Sequence, residues 1–148
     1  MEIKEKDKKI KVKFKKLNSN AQTPVYKSEE AAAFDLHSVE EKIILPGETT
    51  IVCTGIAIEL PKGFCLQFWD RSSLGSKGIT KFAGLIDSDY RGELKVVFNN
   101  TTKQPYKIEK GDRIIQGAIV PIIQIELEEI NELSQTKRAD GAFGSTGK

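Results

Sequence analysis

Two carboxylates, Asp87 and Asp89, lie two residues apart in the segment Gly-Leu-Ile-Asp-Ser-Asp-Tyr-Arg-Gly, which spans residues 84–92. A fixed carboxylate can orient and deprotonate a water molecule, so this segment could supply the base for a hydrolysis. Apolar residues lead in and an alternating stretch, 93–96, leads out, which predicts a tight β-hairpin that carries a site. Asp and Gly are also ordinary turn residues, so the segment alone is equally compatible with a solvated turn.

A second group of polar residues, Arg-Ser-Ser-Leu-Gly at 71–75, combines a guanidinium, two hydroxyls and a glycine. Arginine binds phosphate through its planar fork, and hydroxyl and backbone N–H groups add neutral donors. The segment is not a P-loop, because the GxxxxGK[ST] pattern is absent. It indicates phosphate binding only weakly on its own, because Arg-Ser-Ser also occurs in ordinary loops.

The last residues of the chain, 138–148, are too rich in glycine for a core strand and have the composition of a mobile tail. A mobile tail needs neither a cation nor an aromatic ring, yet this one has Arg138 and Phe143. We therefore predict a folded domain over 1–137, followed by a lid segment over 138–148 that becomes ordered on a ligand.

Size and composition favour one globular domain. The chain has 148 residues, of which 39% are hydrophobic and 30% charged, and no apolar run approaches the roughly 20 residues that span a bilayer. Cys53 and Cys65 form no CxxC pair and have no neighbouring histidine. They predict two buried, reduced thiols in a cytoplasmic protein, with no membrane partner.

The net charge of +2 is spread unevenly along the chain. Residues 1–16 contain eight lysines and three acids, which gives +5 and leaves −3 for the remainder. Residues 11–15 alternate lysine with apolar residues, which favours a solvated strand face over a functional basic arm. The rest of the chain is too weakly charged for a nucleic-acid footprint, so nucleic acid is not an expected partner.

Short strands separated by turn signals every 8–12 residues predict an all-β sandwich or barrel. Pro121, within the last strand, argues for an edge, a bulge or a break there. Ser28 could cap one short helix over 28–34. The candidate strands are 12–17, 42–45, 49–60, 64–69, 94–98 and 113–125.

Two further segments, Ala-Ala-Ala-Phe-Asp-Leu-His-Ser at 31–38 and Gly-Asp-Arg-Ile-Ile-Gln at 111–116, complete a set of five. In this order the five resemble the motifs of the trimeric dUTP diphosphatases (dUTPases), and the resemblance covers about residues 10–147. It implies a jelly-roll-like distorted β barrel that forms a homotrimer and has a flexible Gly-rich C-terminal tail. Each active site would combine motifs from two subunits, with the tail from the third.

The resemblance also implies the reaction, which is hydrolysis of dUTP to dUMP and pyrophosphate. Asp87 would activate a water that attacks the α-phosphorus. The triphosphate would carry Mg²⁺ with several retained waters, and Asp35 would order those waters. Such an enzyme removes dUTP from the nucleotide pool and supplies dUMP for dTMP synthesis.

By the same resemblance, Arg71, Ser72, Ser73 and Gln116 contact the phosphate chain. Ser72 would lie near the α–β bridging oxygen, where negative charge grows as the bond breaks. Arg113 is expected to form a structural ion pair.

Recognition of uracil is assigned by resemblance to the backbone of Gly84, Leu85 and Ile86 and to that near Lys95. A strand edge offers alternating donors and acceptors, which can distinguish uracil from cytosine. Tyr90 would lie flat against the deoxyribose and leave no room for a 2′-hydroxyl, which would exclude UTP.

The tail would complete the site. By resemblance, Phe143 stacks over the uracil and Arg138 reaches the γ-phosphate, while Gly144, Ser145 and Thr146 supply backbone and hydroxyl donors. Closing the tail would exclude water and align the nucleophile.

Three positions depart from the family pattern. Asp70 stands where many members have proline, and it is expected either to weaken phosphate binding or to pair with Arg71. Ala139 and Ala142 stand where family tails often have glycine, and a positive φ at either position would cost about 1 kcal/mol.

His37, the single histidine, is expected at the surface.

Two alternatives remain open. A dCTP deaminase shares the fold and an Arg-Ser-Ser motif, but the patterns at 86–90 and 143–147 favour the diphosphatase. A regulatory protein could instead use the nucleotide as a switch and contact a partner through its basic N-terminal arm.

Overall fold

The computed structural model describes residues 9–144 of the chain. These residues form two four-stranded sheets, one two-stranded sheet and a single helical turn, and every strand pair is antiparallel. The all-β prediction is therefore confirmed. The elements are β1 (Lys13–Lys16), β2 (Phe34–His37), β3 (Lys42–Ile44), β4 (Thr49–Glu59), β5 (Phe64–Asp70), α1 (Ser72–Gly75), β6 (Ile79–Phe82), β7 (Leu85–Ile86), β8 (Glu93–Asn100), β9 (Tyr106–Ile108) and β10 (Arg113–Pro121).

The two large sheets share one hydrophobic core. The first has the strand order β1-β4-β8-β6 and the second β2-β10-β5-β7, while β3 and β9 form the small sheet. On β8, Leu94, Val96 and Phe98 are fully buried and alternate with more exposed residues, as a strand with one face in the core requires. Leu36 and Leu66 bring the second sheet into the same cluster, and burying one such side chain contributes about 1.5–3 kcal/mol.

The strands predicted from apolar alternation lie close to β3, β4, β5 and β8. The long apolar run that begins at Arg113 ends as a strand at Pro121. Strand β10 pairs with β2 only as far as Gly117, so Pro121 pairs on one side only, with Phe64 of β5. Proline lacks an N–H group, so it is tolerated at a position like this one, where the strand has a neighbour on one side only.

The predicted hairpin over 84–92 is wrong. Strand β7 pairs with β5 in the second sheet, whereas β8 belongs to the first sheet. Ala83, with φ of 58°, and Gly84, with φ of 109°, turn the chain away from β6. A Cβ at Gly84 would lie 2.9 Å from the Cβ of Phe68, so only glycine fits this crossing. Residues 87–92 are therefore a connection between two sheets.

The predicted helix over 28–34 is also wrong. A single turn closes where the Ala31 N–H donates to the Ser28 carbonyl at 3.3 Å, and Phe34 then enters β2. Phe34 and Leu36 are buried, and burial of this short strand outweighs a weak helical tendency. The helical turn α1 was not predicted, because four residues are too few to show a helical period.

Both cysteines are free thiols, with Cys65 buried in β5 and Cys53 half-buried in β4. Burial raises the pKa of the Cys53 thiol, which favours its neutral form. Within residues 9–144, no helix is both long enough and apolar enough to cross a bilayer.

Candidate active site

A buried carboxylate holds two guanidinium groups at one end of the second sheet. Asp35 Oδ1 lies 3.5 Å from Arg71 Nε, and Asp35 Oδ2 lies 3.2 Å from Arg113 Nη1. Arg71 Nη1 also donates to the Arg113 carbonyl at 2.8 Å, so the two arginines are tied together. One acid and two cations leave a net positive charge, and arginine recognises phosphate well. The prediction that Arg113 forms an ion pair is confirmed.

The arginine pair lines a cleft of about 240 Å³. Its wall includes Ser73, which follows Ser72 on the exposed first turn of α1. A guanidinium and hydroxyls predicted to contact phosphate therefore lie together in this structure. The cleft is lined by Arg71, Ser73, Leu74, Tyr106, Ile108, Asp112, Arg113 and Ile114.

Gln116 lies beside this cleft, directly across β10 and β2 from Asp35. Its amide Nε2 donates to the Asp70 carbonyl at 2.9 Å. The side chain thereby holds the end of β5, where the serine turn starts. Phosphate contact by Gln116 stays a prediction.

One of the two expectations for Asp70, pairing with Arg71, is wrong, whereas a weakening of phosphate binding stays a prediction. Its carboxylate does not pair with Arg71, which is engaged by Asp35. Asp70 Oδ2 accepts a hydrogen bond from Thr80 Oγ1 at 2.6 Å, and Oδ1 accepts one from the Lys81 N–H at 2.8 Å. Both carboxylate oxygens therefore face β6.

The second candidate region is the connection 87–92. Asp87 is exposed, and its carbonyl accepts a hydrogen bond from the Tyr90 N–H at 3.2 Å. The Tyr90 hydroxyl donates to the Glu93 carbonyl at 3.0 Å, and the ring lies so close over Gly92 that a Cβ there would overlap it. Two hydrogen bonds from Arg91 to backbone carbonyls close the turn further. Asp87 and the Tyr90 ring are thus exposed to solvent on a turn that hydrogen bonds stabilise.

A gap between β6 and β8 lies next to this turn. The two strands pair from Ile79 to Phe82, and the last pair is Phe82 with Val97. Beyond that point the chain crosses to β5, so Lys95 has its described pairing only with Cys53 of β4. Among the described residues, the part of β8 before Val97 therefore pairs only with β4. Gly84 directly precedes β7, whose Leu85 and Ile86 pair with Gln67 and Leu66 of β5.

A second, larger cavity of about 420 Å³ includes Gly84 and Leu85 in its wall. Within residues 9–144, the wall of neither cavity contains Asp87 or Tyr90. Among the described residues, Asp87 therefore does not line the arginine cleft of its own chain. The wall of the larger cavity consists of Gln67, Phe68, Trp69, Lys81, Ala83, Gly84 and Leu85.

The tail follows an exposed segment that begins at residue 122 and contains no strand as far as residue 144. Arg138 Nε donates to the Gly141 carbonyl at 2.9 Å, and Phe143 is fully exposed. Ala139 has a positive φ of 48°, the strained conformation that glycine would adopt more easily. The predicted ligands Ser145 and Thr146 lie outside the described residues, and the predicted contacts of Arg138, Phe143 and Gly144 stay predictions.

Comparison with known proteins supplies the family. The dUTPase family model matches residues 19–147. The chain belongs to the dUTPase family. A deoxyuridine 5'-triphosphate nucleotidohydrolase of Nautilia profundicola is 49% identical over 142 residues, which cover 94% of this chain and 100% of that protein. The enzyme of the same name from Hydrogenobaculum sp. is 46% identical over 93% of this chain and 99% of its own length. This dUTPase is thus a hydrolase that acts on dUTP.

Solved dUTPases share the fold. The Staphylococcus bacteriophage 80alpha dUTPase, solved with dUPNHPP, superposes with a TM-score of 0.87 at 28% identity, covering 93% of this chain and 99% of that one. A mutant dUTPase from phage phi11 of S. aureus, which reveals the coordination of a structural Mg(II) ion, gives a TM-score of 0.79 at 25% identity, covering 84% and 99%. The names of the relatives favour the diphosphatase over the deaminase alternative.

His37 was expected at the surface of this dUTPase, and that expectation is wrong. It is 7% exposed on β2, and its Nδ1 atom has no hydrogen-bond partner among residues 9–144. Burial is the main cause that lowers the pKa of the imidazole from 6.5, and Lys27, Arg113 and Arg71 act in the same direction. Asp35 opposes them. A single histidine within an apolar alternation gives no sequence signal of this burial.

The lowered pKa of His37 predicts a loss of stability in acid. Below pH 6.5 the unfolded chain binds a proton that the folded chain takes up less readily, so the free energy of unfolding falls as pH falls. The slope from this one group is at most about 1.4 kcal/mol per pH unit. His37→Gln should flatten the dependence of melting temperature on pH below 6.5. An unchanged dependence would show that His37 does not titrate with unfolding.

Proposed function

We propose that this dUTPase is Mg²⁺-dependent and works by attack of an Asp87-activated water on the α-phosphorus of dUTP. The observation that carries the proposal is the buried Asp35, which holds Arg71 and Arg113 together at the cleft beside the serine turn. This arrangement places two guanidinium groups, next to the acids Asp35 and Asp112, where a triphosphate could bind. The structure of a related dUTPase was solved with dUPNHPP, a nucleotide analogue, and this supports a nucleoside triphosphate as the ligand here.

In the proposed site, the phosphate chain lies in the cleft against Arg71, Ser72 and Ser73, with Gln116 at its border. Arg71 presents guanidinium N–H groups, and the exposed serine hydroxyls add neutral donors. Ser72 donates to the oxygen that bridges the α- and β-phosphorus, so it stabilises charge that develops as the bond breaks.

The residues fit a metal that the triphosphate carries. Residues 9–144 contain no group of three or more His, Cys, Asp or Glu side chains that could form a protein-only cage. Both oxygens of Asp35 contact arginines, but a carboxylate has about four lone-pair sites and can still accept a hydrogen bond from a metal-bound water. When bound, Mg²⁺ neutralises phosphate charge and keeps several of its waters.

Asp87 takes one proton from the attacking water. The oxygen of that water bonds to the α-phosphorus, the bond from this phosphorus to the bridging oxygen breaks, and pyrophosphate leaves with that oxygen. Asp87 is exposed on a braced turn, so it can meet a phosphate chain held by another copy of the protein. The reaction yields dUMP, which we propose feeds dTMP synthesis.

Selection of the base and sugar follows from the gap between β6 and β8. We assign uracil to the backbone of Gly84, Leu85 and Ile86 and to that near Lys95, which lies on β8 beyond the last pair with β6. Tyr90 is held by its hydrogen bond to the Glu93 carbonyl, so its ring can form a rigid wall against the deoxyribose. A fixed ring leaves no room for a 2′-hydroxyl.

The exposed segment after Pro121 supports a homotrimer. Ile123, Ile125 and Leu127 are exposed and alternate with polar residues, among them Glu126, in a stretch that contains no strand. Strand β1, at the edge of the first sheet, contains three lysines and Phe14. Such a segment could add to the edge of a neighbouring copy, with apolar side chains together and acids beside lysines.

In that trimer the tail 138–148 acts as a lid on a site built by the other subunits. Phe143 stacks on the uracil, Arg138 reaches the γ-phosphate, and Gly144, Ser145 and Thr146 donate hydrogen bonds to the phosphates. The full exposure of Phe143 supports this, because its ring is available to a partner outside its own chain. The cytoplasmic location stays a prediction.

Pyrophosphate release in Mg²⁺ buffer, measured in parallel with dUTP, UTP, dTTP and dCTP, tests this function. We expect rapid release from dUTP and at least about 10²-fold slower release from the other three, because each loses a contact or meets a clash in a rigid pocket. Comparable release from UTP would contradict the role of Tyr90. Release of ammonia from dCTP would instead support the deaminase alternative.

A further inference from the structure

Asp70 is fixed by three hydrogen bonds at the last position of β5, directly before the serine turn. Its carboxylate accepts from Thr80 Oγ1 at 2.6 Å and from the Lys81 N–H at 2.8 Å, both on β6. Its carbonyl accepts from Gln116 Nε2 of β10 at 2.9 Å. The residue is therefore held from two different strands, one in each large sheet.

The turn that follows has little to anchor it from within. Arg71 precedes α1 with extended backbone angles, φ −74° and ψ 137°, and no side chain caps the helix start. A single helical turn of four residues is not stable by itself. A Cβ at Gly75 would lie 3.7 Å from the Asp70 Cβ, so the end of the turn comes back over Asp70. Leu74 is buried in the core and Arg71 is bound by Asp35, so a shift of Asp70 would act mainly on Ser72 and Ser73, which lie between them.

The direction of the Asp70 carboxylate also matters for charge. A carboxylate next to Arg71 could compete with phosphate for that guanidinium, but both oxygens are engaged by neutral donors of β6. Hydrogen bonds to an ionised acceptor are stronger than those between neutral groups, so these two bonds hold the Asp70 carboxylate firmly against β6. Arg71 stays with Asp35, facing the cleft.

We propose that Asp70 is a positioning residue, which holds the serine turn in the geometry needed for phosphate transfer and ties it to β6. Strand β6 leads directly into the Ala83–Gly84 crossing, next to the backbone proposed to bind uracil. The hydrogen bonds between Asp70 and β6, here called the Asp70 clip, therefore connect the proposed phosphate and base regions of one chain. This inference rests on the proposed function of the turn in binding phosphate.

Two substitutions remove hydrogen bonds of the Asp70 clip, one on the β5 side and one on the β6 side. Asp70→Ala removes both side-chain hydrogen bonds, and Thr80→Val removes one while preserving shape. We expect Asp70→Ala to lower kcat for dUTP about 10²-fold, the cost of a misplacement of the order of 1 Å, with a smaller loss for Thr80→Val. Adding Thr80→Val to Asp70→Ala should cost little more, because the two variants remove a shared contact. Asp70→Asn, which keeps one acceptor, should recover part of the loss.

Thr49→Val is the matched control. It makes the same substitution at a threonine whose Oγ1 accepts a hydrogen bond from Asn99 Nδ2 at 3.1 Å, between β4 and β8 and away from the turn. We expect wild-type kcat and KM for this control. The melting temperature of each variant is measured beside its kinetics, so that loss of folded protein is separated from loss of turnover per folded site.

A purely structural role would lower the melting temperature of the Asp70 and Thr80 variants and leave kcat and KM of the folded fraction unchanged. That result would overturn the proposal, and so would independent, additive losses from the two sides of the clip. If Asp70→Ala does not fold, Thr80→Val alone decides, and wild-type kcat in it would overturn the proposal as well. An inactive wild-type protein would instead be a failure of the proposed function.

Discussion

Replacing Asp87 by asparagine should lower kcat for dUTP about a thousandfold, because a positioned general base typically contributes 10²- to 10⁴-fold. The amide keeps the size of the carboxylate but cannot take a proton from water. Asp87 is exposed, so the exchange leaves no buried group unpaired and should not disturb the fold. Steady-state pyrophosphate release gives kcat, and calorimetric titration with a non-hydrolysable analogue gives the affinity, which should stay near the wild-type value.

Asp89→Asn is the matched control for this experiment. It makes the same chemical change two residues away on the same exposed turn. We expect turnover to be reduced far less than in Asp87→Asn. Near-normal turnover in Asp87→Asn, or an equal loss in both variants, would remove Asp87 as the base.

The second large effect is expected from the tail. A chain that ends at Lys137 should keep its oligomeric state and its melting temperature and lose about 10²-fold or more in kcat/KM for dUTP. The reason is that residues 138–144 lie outside the strands and Phe143 is fully exposed among the described residues, so the tail contributes little to stability. Its contribution is to exclude water and align the phosphate chain.

Phe143→Ala separates the ring from the rest of the tail. We expect it to raise KM more than it lowers kcat, because the ring is proposed to stack on uracil rather than on the reacting atoms. Initial rates give kcat and KM of this variant.

For the chain that ends at Lys137, light scattering gives the oligomeric state and initial rates give kcat/KM. A truncated enzyme with wild-type kcat/KM would show that the tail is not a lid.

Strands could be predicted where one face is buried. The alternation of β8 and the apolar length of β4 follow from local sequence, because side chains of a strand point to opposite faces with a period of two. The pairing of β7 could not be predicted in this way. Its two residues pair with β5, about 20 positions earlier in the chain, and no local pattern distinguishes that choice from a hairpin with β8.

The candidate site shows the same division. The segments that contain Asp35, Arg71 and Asp87 could be found from residue types and from their resemblance to a family. The surroundings of Asp70 and His37 could not, because they depend on which strands pack against these residues. Asp70 turns toward β6 rather than Arg71 since Thr80 and the Lys81 N–H offer it donors there.

The separation of Asp87 from the arginine cleft in one chain gives the central claim, which is that each active site combines Asp87 of one subunit with Arg71 of another. Arg71→Ala and Asp87→Asn chains, each nearly inactive alone, can be produced together so that mixed trimers form. In a cyclic trimer each mixed assembly then contains one site with both native residues, and random mixing of equal amounts restores about a quarter of wild-type turnover.

Pyrophosphate release from dUTP by the co-produced Arg71→Ala and Asp87→Asn chains is therefore the measurement that decides. We predict recovery toward that quarter, far above the sum of the two variants alone. No recovery, with mixed trimers demonstrated by mass, would contradict a site shared between subunits.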